Sequence, residues 1–274
     1  MKISIITATW NSAKTVRDTF ESVLAQTYHD IDYVVVDGGS TDSTLDIIKE
    51  YEPRFQGRMH WVSEPDKGIY DAMNKGISRA KGEVVGILNS DDFYTSNDVV
   101  ETIAKAFDEQ SSIDAVYGDI HYVKEDDTSR LVRYYSSKHF ARYKMRMGWM
   151  PAHPSFYCRK AVYERFRLDG NAIEGFRGNP ECAYFNTTYK VASDFENLLR
   201  MIYVGRINTY YIEKDCVTMR MGGASSSGFQ SHKQINKDHL RALRENGIYS
   251  NIFLLALRYV AKVIELVKGR LSSK

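Results

Sequence analysis

Two adjacent carboxylates follow an apolar run, where Val84 to Leu88 lead into Asn89, Ser90, Asp91 and Asp92. Adjacent carboxylates repel each other unless a cation lies between them. Hard divalent cations such as Mn²⁺ and Mg²⁺ prefer oxygen ligands and often share their coordination with substrate phosphates. The segment therefore predicts a metal site at Asp91 and Asp92. A turn or a helix cap is the alternative, because Asp also favours those positions.

A second polar segment, from Asp37 to Asp42, combines two glycines with hydroxyl and carboxylate side chains. Glycine lets the backbone approach a ligand closely, and an Asp at a strand end can bind a base or a ribose. The sequence contains neither the dinucleotide-binding glycine fingerprint nor a P-loop. On its own, the segment is equally typical of a turn followed by a helix cap.

A third candidate is Asp194, which with Ser193 opens a segment of helical pattern over residues 193–203. A carboxylate that faces an acceptor hydroxyl can take its proton as a general base. Ser and Asp are also common in the first turn of a helix, so capping is the alternative.

Strands and helices alternate through the first 95 residues and would position these groups. Apolar runs predict strands, and apolar residues at helical spacing predict helices between them. The predicted strands are Ile3–Ala8, Ile31–Val36, Met59–Ser63 and Glu83–Leu88, and the predicted helices span 16–24, 43–50 and 70–79. This alternation predicts an α/β fold with a mainly parallel sheet flanked by helices.

Polar residues follow each predicted strand. They are Thr9 to Asn11, Asp37 to Asp42, Glu64 to Gly68 and Asn89 to Asp92. Because ligands bind at the carboxyl ends of parallel strands, we expect these four groups to meet in one site.

The remainder of the chain continues the layered pattern and ends in helices. A helix over 97–107 and a strand over 115–122 precede loops at 169–188 and 222–228 and two closing helical patterns. We predict a nucleotide-sugar half at 1–95, an acceptor and catalytic half of the same domain at 96–228, and a helical extension at 229–274.

Composition places the chain among globular proteins. It has 274 residues, 43% hydrophobic and 26% charged, and a net charge of +2, which argues against a nucleic-acid binder. The three cysteines, Cys158, Cys182 and Cys216, are widely spaced, which indicates a reducing compartment. With no signal-peptide pattern and no long apolar run, we expect a cytoplasmic protein.

Two basic regions suggest an anionic partner. Residues 128–163 contain eight Lys or Arg and no Asp or Glu, which predicts a solvated face or a contact with an anionic acceptor or lipid. In residues 251–268, Arg258, Lys262 and Glu265 share one helix face and apolar residues fill the rest. That helix is expected to pack on the domain or a second subunit, as in a homodimer, or to lie on the inner membrane face.

The order of the motifs closely resembles the family 2 glycosyltransferases, which are inverting, sugar-nucleotide-dependent enzymes with the GT-A fold. The motifs are Ser4 to Asn11, Ser22 to Thr27, Asp37 to Asp42, Gly68 to Gly76, Lys81 to Glu83 and Asn89 to Asp92. The match is dense over residues 3–95 and thins towards residue 225. It implies transfer of a sugar from a nucleoside diphosphate, expected to be UDP, to a glycan or lipid-linked oligosaccharide in cell-surface polysaccharide synthesis.

The resemblance implies a role for each matching position. The donor-binding residues would be Thr7, Thr9, Asn11, Asp37, Lys67, Gly68, Asn74, Asn89 and Ser90. Asp91, helped by Asp92, would hold Mn²⁺ or Mg²⁺, and Asp194 would be the catalytic base. Trp149, His153 and Glu196 are the candidates for acceptor contacts.

Three positions depart from the family pattern. Asn89 replaces the usual first Asp, Met73 replaces a common Arg for which Lys67 is a candidate substitute, and Ser193 replaces an acid. The departures at Asn89 and Ser193 keep a non-catalytic sugar-nucleotide-binding module as an alternative. A metal-dependent nucleotidyltransferase is less favoured, because Thr9 to Ser12 lacks a glycine-rich phosphate loop with a cation.

Overall fold

The computed structural model describes residues 1–168, 184–222 and 228–258. Nine strands of these ranges form one sheet. They are β1 Ile3–Thr9, β2 Ile31–Asp37, β3 Met59–Ser63, β4 Val84–Ile87, β5 Phe93–Tyr94, β6 Ala115–Val123, β7 Leu131–Tyr135, β8 Tyr157–Arg159 and β9 Thr209–Arg220. The helices are α1 Val16–Leu24, α2 Thr44–Tyr51, α3 Ile69–Arg79, α4 Val99–Glu109, α5 Lys160–Arg165, α6 Ser193–Leu198 and α7 Gly228–Glu245. Residues 252–258 are also helical, and the rest of the predicted C-terminal helix lies outside the described residues.

The first half of the sheet is parallel, as the sequence predicts. Its strands run in the order β3, β2, β1, β4, and Ile3 pairs with both Ile31 and Val84. Every residue of β1 and β2 is buried, which explains their continuous apolar character. The α/β fold class is therefore confirmed, and these strands and helices begin and end within two residues of the predicted positions.

The second half of the sheet is mixed, which the sequence did not indicate. Strand β8 lies antiparallel between β4 and β6, while β9 is parallel to β6 and antiparallel to β5. Strands of two or three residues, such as β5 and β8, are too short to show a period of two. Because β5 pairs with β9, the two predicted halves contribute to one sheet; the division at residue 95 remains a prediction.

Helices cover both faces of the sheet. Neighbouring residues in a strand point to opposite faces, so Ile5 packs with α1, α2 and α4, and Ile6 packs with α3 and α6. Cys158 and Cys216 are buried free thiols, and Cys182 lies outside the described residues. Within the described ranges, no helix is long and apolar enough to cross a membrane.

A glycine lets β8 pack directly against β4. A Cβ atom at Gly86 would lie 2.2 Å from Cε1 of Tyr157, closer than any real contact. The Tyr157 hydroxyl in turn hydrogen-bonds to that of Tyr94, two residues after Asp92. The absence of a side chain at position 86 thus leaves the space on β4 that the Tyr157 ring of β8 occupies.

A buried ion pair fixes α6. Arg200 and Glu196 are 1% and 0% exposed, and the guanidinium contacts both carboxylate oxygens, with Nε 3.0 Å from Oε1. The guanidinium also donates to the carbonyls of Phe166 and Tyr184. Arg200 lies in a π-helical turn, Leu199–Val204, so the predicted single helix over 193–203 changes form after Leu198.

Replacing Arg200 with Met should lower the free energy of unfolding by about 3–5 kcal/mol, because Glu196 would be left as an uncompensated buried charge. Urea denaturation followed by Trp fluorescence at neutral pH measures the loss. The double variant Glu196→Met/Arg200→Met is the control and should recover most of it. A double variant no more stable than the single would contradict the assignment.

Candidate active site

The loop after β2 is organised around the carboxylate of Asp37. Its Oδ1 accepts hydrogen bonds from the hydroxyls of Thr9 (3.0 Å) and Ser40. Its Oδ2 accepts from the amides of Gly39 (3.0 Å) and Ser40 (2.9 Å) and from the Ser63 hydroxyl (2.7 Å). Burial opposes ionisation, but the bonds from Ser40, Ser63 and Thr9 outweigh it and lower the pKa of Asp37. The charged carboxylate therefore joins the ends of β1, β2 and β3.

Two glycines let this loop turn under a neighbouring segment. Gly39 has a φ of +83°, which a side chain disfavours, and a Cβ at Gly38 would lie 2.3 Å from Asp66 Oδ2. Asp66 belongs to the segment after β3, where its Oδ1 accepts from the amide of Gly68 at 2.8 Å. The expected meeting of the strand ends is confirmed at this corner.

Asn11 links the loops after β1 and β2. The side-chain Oδ1 of Asn11 accepts from the backbone N–H of Thr41 at 2.9 Å, and the backbone N–H of Asn11 donates to Ser40 Oγ at 2.8 Å. Thr7 points into the sheet instead, where its hydroxyl donates to the Leu88 carbonyl at 2.8 Å. Thr7 therefore supports, from within the core, the start of the loop Asn89 to Asp92, which we call the carboxylate loop.

The carboxylate loop contains two buried oxygen atoms that accept no hydrogen bond within the described ranges, Asn89 Oδ1 and Asp92 Oδ1. Asn89 Nδ2 donates to Asp92 Oδ2 at 3.1 Å. Burial and then the charge of Asp91 raise the pKa of Asp92 well above its usual value, although the Asn89 bond opposes them. Burial likewise raises the pKa of Asp91, against the Arg220 charge.

These oxygens are chemically suited to a hard cation. They belong to a loop in which burial raises the pKa of both carboxylates, and a bound cation would stabilise the charged forms. The described chain offers no cluster of three or more His, Cys, Asp or Glu in ligand geometry, so further oxygens would have to come from a bound phosphate or water.

Arg220 holds the carboxylate loop from the far end of the sheet. Its Nη1 donates to the Asp91 carbonyl at 2.6 Å, and its Nη2 pairs with Asp18 on α1. The guanidinium also lies 5.0 Å from the centre of the Phe93 ring. The sequence offers no signal for this contact, because the partners are more than a hundred residues apart.

Asp194 lies in the first turn of α6 beside Tyr70 and His153. Burial raises the pKa of Asp194, and the nearby His153 and a hydrogen bond from Tyr70 act in the opposite direction. Burial lowers the pKa of His153, so that its neutral form is favoured near neutral pH. The rings of Tyr70 and His153 both pack on Phe185, with centroids at 6.0 and 6.2 Å. The structure thus brings His153 to Asp194 and adds Tyr70, which the sequence analysis missed.

The phenol of Tyr122 is influenced by the charges of both Asp92 and Asp194. Burial raises the pKa of Tyr122 most, the charge of Arg133 lowers it, and the charges of Asp92 and Asp194 raise it further. The Tyr122 phenol therefore lies within electrostatic range of both carboxylates, although they are about a hundred positions apart in the sequence.

A cavity of about 290 Å³ opens beside Tyr70. One wall is the start of α3, with Lys67, Gly68 and Ile69, and the other is the segment 187–190. Lys67 and Lys190 are exposed and give this cavity two cations. A polar cavity with two exposed lysines suits an anionic or polyhydroxylated ligand.

Three predicted site residues have other surroundings. Asn74 is buried, and its amide bonds to the backbone of Tyr184 and Phe185, joining α3 to that segment. Glu196 forms the interior ion pair described above, so the structure does not bring it to the cleft. Trp149 is half-buried, and its ring centre lies 5.9 Å from Lys144 Nζ.

Ser90, by contrast, lies in the carboxylate loop as predicted, where its Oγ is 2.8 Å from Ser12 Oγ.

Comparison with known proteins identifies relatives of this chain. The family model described as Glycosyl transferase family 2 matches residues 4–168, more than half of the chain. A PGL/p-HBAD biosynthesis glycosyltransferase from Mycobacterium bovis is 38% identical over 117 residues, which is 43% of this chain and 46% of that protein. Chondroitin synthase from Pasteurella multocida is 28% identical over 225 residues, 82% of this chain and 21% of that protein. The match thus spans less than half the length of either relative.

Solved structures share the fold. The structure of S. aureus TarS 1-349 superposes with a TM-score of 0.64 at 20% identity, covering 89% of this chain and 65% of that one. The mannosyltransferase PcManGT from Pyrobaculum calidifontis, in complex with GDP-Man and Mn²⁺, superposes with a TM-score of 0.58 at 16% identity. The match covers 97% of this chain and 80% of that one. At these identities the likeness establishes the GT-A type of fold, as the sequence predicted.

The variant Asn89→Asp tests the cation site. A third carboxylate beside Asp91 and Asp92 should lower Tm in EDTA through repulsion, and should enlarge the Tm increase produced by Mn²⁺ with UDP. Asn97→Asp, which adds the same charge at an exposed position, is the matched control. If Asn89→Asp responded to Mn²⁺ no differently from the control, the loop would not be the cation site.

Proposed function

The chain belongs to glycosyl transferase family 2, and on that basis we propose that it transfers a sugar from a UDP-sugar to a glycan hydroxyl with inversion at the anomeric carbon. The observation that carries the proposal is the loop Asn89 to Asp92 after β4, in which two buried oxygens, Asn89 Oδ1 and Asp92 Oδ1, accept no hydrogen bond within the described residues. An inverting transfer needs a cation-binding loop at the leaving group and a base on the acceptor side.

The donor would bind along the carboxyl ends of the strands. We assign the nucleoside to Asp37, Thr9 and Asn11, and the diphosphate to Ser90, Lys67 and the start of α3 at Gly68. The Asp37 carboxylate is fully buried and already accepts from five donors, so it would act by fixing the loop that meets the base or ribose. Thr7 and Asn74 would position other parts of the site. Thr7 hydrogen-bonds to the Leu88 carbonyl just before the carboxylate loop, and Asn74 joins α3 to the segment that contains Tyr184 and Phe185.

Asp91 and Asp92, with Asn89 Oδ1, would hold Mn²⁺ or Mg²⁺. That cation would neutralise the charge that develops on the departing diphosphate. Arg220 fixes the loop through the Asp91 carbonyl, so the carboxylates keep their position when the ligand leaves.

Asp194 would take the acceptor proton. The acceptor oxygen forms its bond to the anomeric carbon as the carbon–oxygen bond to the diphosphate breaks, and the hydroxyl proton passes to the Asp194 carboxylate. Burial raises the pKa of Asp194 and makes the carboxylate a stronger base than an exposed one. His153, largely neutral, can hydrogen-bond an acceptor hydroxyl, and Trp149 lies four residues before it in the same segment.

The choice of UDP and of a cell-surface glycan rests on similar proteins. TarS has been solved with UDP and with UDP-GlcNAc, whereas PcManGT was solved with GDP-Man. Two relatives are named for PGL/p-HBAD biosynthesis and for chondroitin synthesis. These names support a hexosyl or N-acetylhexosaminyl donor and a glycan or lipid-linked oligosaccharide acceptor.

Asp194→Asn tests the base. Loss of the proton acceptor should reduce transfer by about 10²–10⁴-fold while the dissociation constant for UDP changes little. Transfer is measured as UDP release from UDP-GlcNAc, UDP-glucose and UDP-galactose with a panel of soluble glycosides, and binding by calorimetry with Mn²⁺. Asp46→Asn, on the exposed side of α2, is the control. Unchanged turnover would remove Asp194 as the base, and UDP binding without turnover in the wild type would favour a binding module.

Tyr70→Phe tests the surroundings of the base through pH. The Tyr70 hydroxyl stabilises the charged form of Asp194, so its removal should raise the pKa of Asp194 further. Activity requires the deprotonated base, and the acid limb of kcat/KM should therefore move to higher pH. Tyr210→Phe, at a partly exposed hydroxyl on β9, should leave the limb in place. A shift to lower pH, or none, would exclude this role for Tyr70.

A further inference from the structure

We propose that Tyr143, Tyr249, Ile252, Phe253 and Leu257 form a docking surface that lies on an anionic lipid bilayer. The surface combines the helical segment 252–258 with the basic 3₁₀-helical turn Arg142–Met147. It contains none of the residues assigned to donor, cation or base, and it can be tested without the transfer reaction.

The helical segment 252–258 packs on the protein with its charged residue inward. Leu255 is fully buried, and Arg258 is 9% exposed. The Arg258 guanidinium lies 2.9 Å from His239 Nδ1 and 3.4 Å from the Gly148 carbonyl, and it also bonds to Asn236. Arg258 therefore faces the protein, where it fastens the segment to α7 through His239 and Asn236.

With its charge turned inward, the segment presents apolar side chains outward. Phe253 is 80% exposed, Ile252 49% and Leu257 47%, and Tyr249, just before the segment, is 71% exposed. Soluble surfaces rarely expose neighbouring large apolar side chains to this extent, and such patches mark interaction sites.

The basic turn extends the same surface. Arg146 Nε donates to the Tyr249 carbonyl at 3.1 Å, and the Ser250 hydroxyl donates to the Arg146 carbonyl at 2.6 Å. On this turn Tyr143 is 63% exposed, and Arg142 is exposed beside it. The apolar side chains are thus bordered by cations on a turn that hydrogen-bonds to Tyr249 and Ser250, the residues just before the helical segment.

Charge favours a bilayer over a second copy of the chain. The turn itself carries Arg142, Lys144 and Arg146 and no Asp or Glu, so this border is cationic. A two-fold interface would place the border against itself and bring cations together. Anionic headgroups instead complement the cations, while the apolar and tyrosine side chains suit the interface between headgroups and acyl chains.

The docking surface also has a direct connection to the acceptor side of the cleft. The chain runs from the basic turn through Trp149 to His153, which contacts the surroundings of Asp194. A bilayer at this surface would bring a membrane-bound acceptor to the side of the base. This last step alone rests on the proposed function.

Sedimentation of the full chain with vesicles tests the proposal. Wild type should pellet with vesicles that contain about one third phosphatidylglycerol in phosphatidylcholine and much less with phosphatidylcholine alone, the binding weakening with salt. Phe253→Ser/Leu257→Ser should reduce the bound fraction by about tenfold. Arg142→Gln should also weaken binding to the anionic vesicles.

The matched control is Leu131→Ser/Val132→Ser, which removes two apolar side chains of similar exposure, 61% and 49%, from β7. It should bind vesicles like wild type. Tm and UDP binding verify that each variant is folded. Equal pelleting of Phe253→Ser/Leu257→Ser and wild type would overturn the proposal. So would a dimer of the wild type, seen by light scattering, that this variant converts to a monomer.

Discussion

The buried ion pair of Arg200 with Glu196 is the interaction on which the surroundings of Asp194 depend. The Arg200 guanidinium joins Glu196 on α6 to the carbonyls of Phe166 and Tyr184, so a single buried charge holds three segments. Tyr184 continues into the wall of the cavity, and Asn74 ties the same segment to α3. The position of Asp194 against Tyr70 follows from these contacts, because α6 and α3 both attach to the segment that Arg200 anchors. A buried pair of this kind contributes orientation more than net stability.

Three carboxylates have different protonation behaviour because their surroundings differ. Asp37 is surrounded by donors, and its pKa is lowered even though it is buried. Asp92 and Asp194 have fewer donors, and burial raises the pKa of each. Asp37 is therefore held as a fixed anion, whereas burial opposes ionisation of Asp92 and Asp194. Under the proposed function, a cation would stabilise the charge of Asp92, and Asp194 would exchange a proton.

Local patterns in the sequence predict the parallel half of the fold and the carboxylates themselves. Strands β1 and β2 are buried on both faces and appear as continuous apolar runs. Asp37 ends one such run, and Asp91 lies in the polar segment that follows β4. Contacts between distant residues leave no local pattern. Arg220 reaches Asp91, Tyr70 reaches Asp194, and Arg258 turns inward to His239. Helical spacing shows that Arg258 lies on a polar face, but only tertiary packing decides whether that face meets solvent or protein.

The packing of Gly86 against Tyr157 has an evolutionary consequence. The two residues share one volume, since a Cβ at position 86 would lie 2.2 Å from the tyrosine ring. A side chain gained at 86 collides with the ring, whereas a ring lost first opens a cavity and leaves the Tyr94 hydroxyl without its partner. Either order of substitution passes through a less stable protein. We therefore expect the two positions to change together in related sequences, with a smaller residue at 157 wherever position 86 carries a side chain.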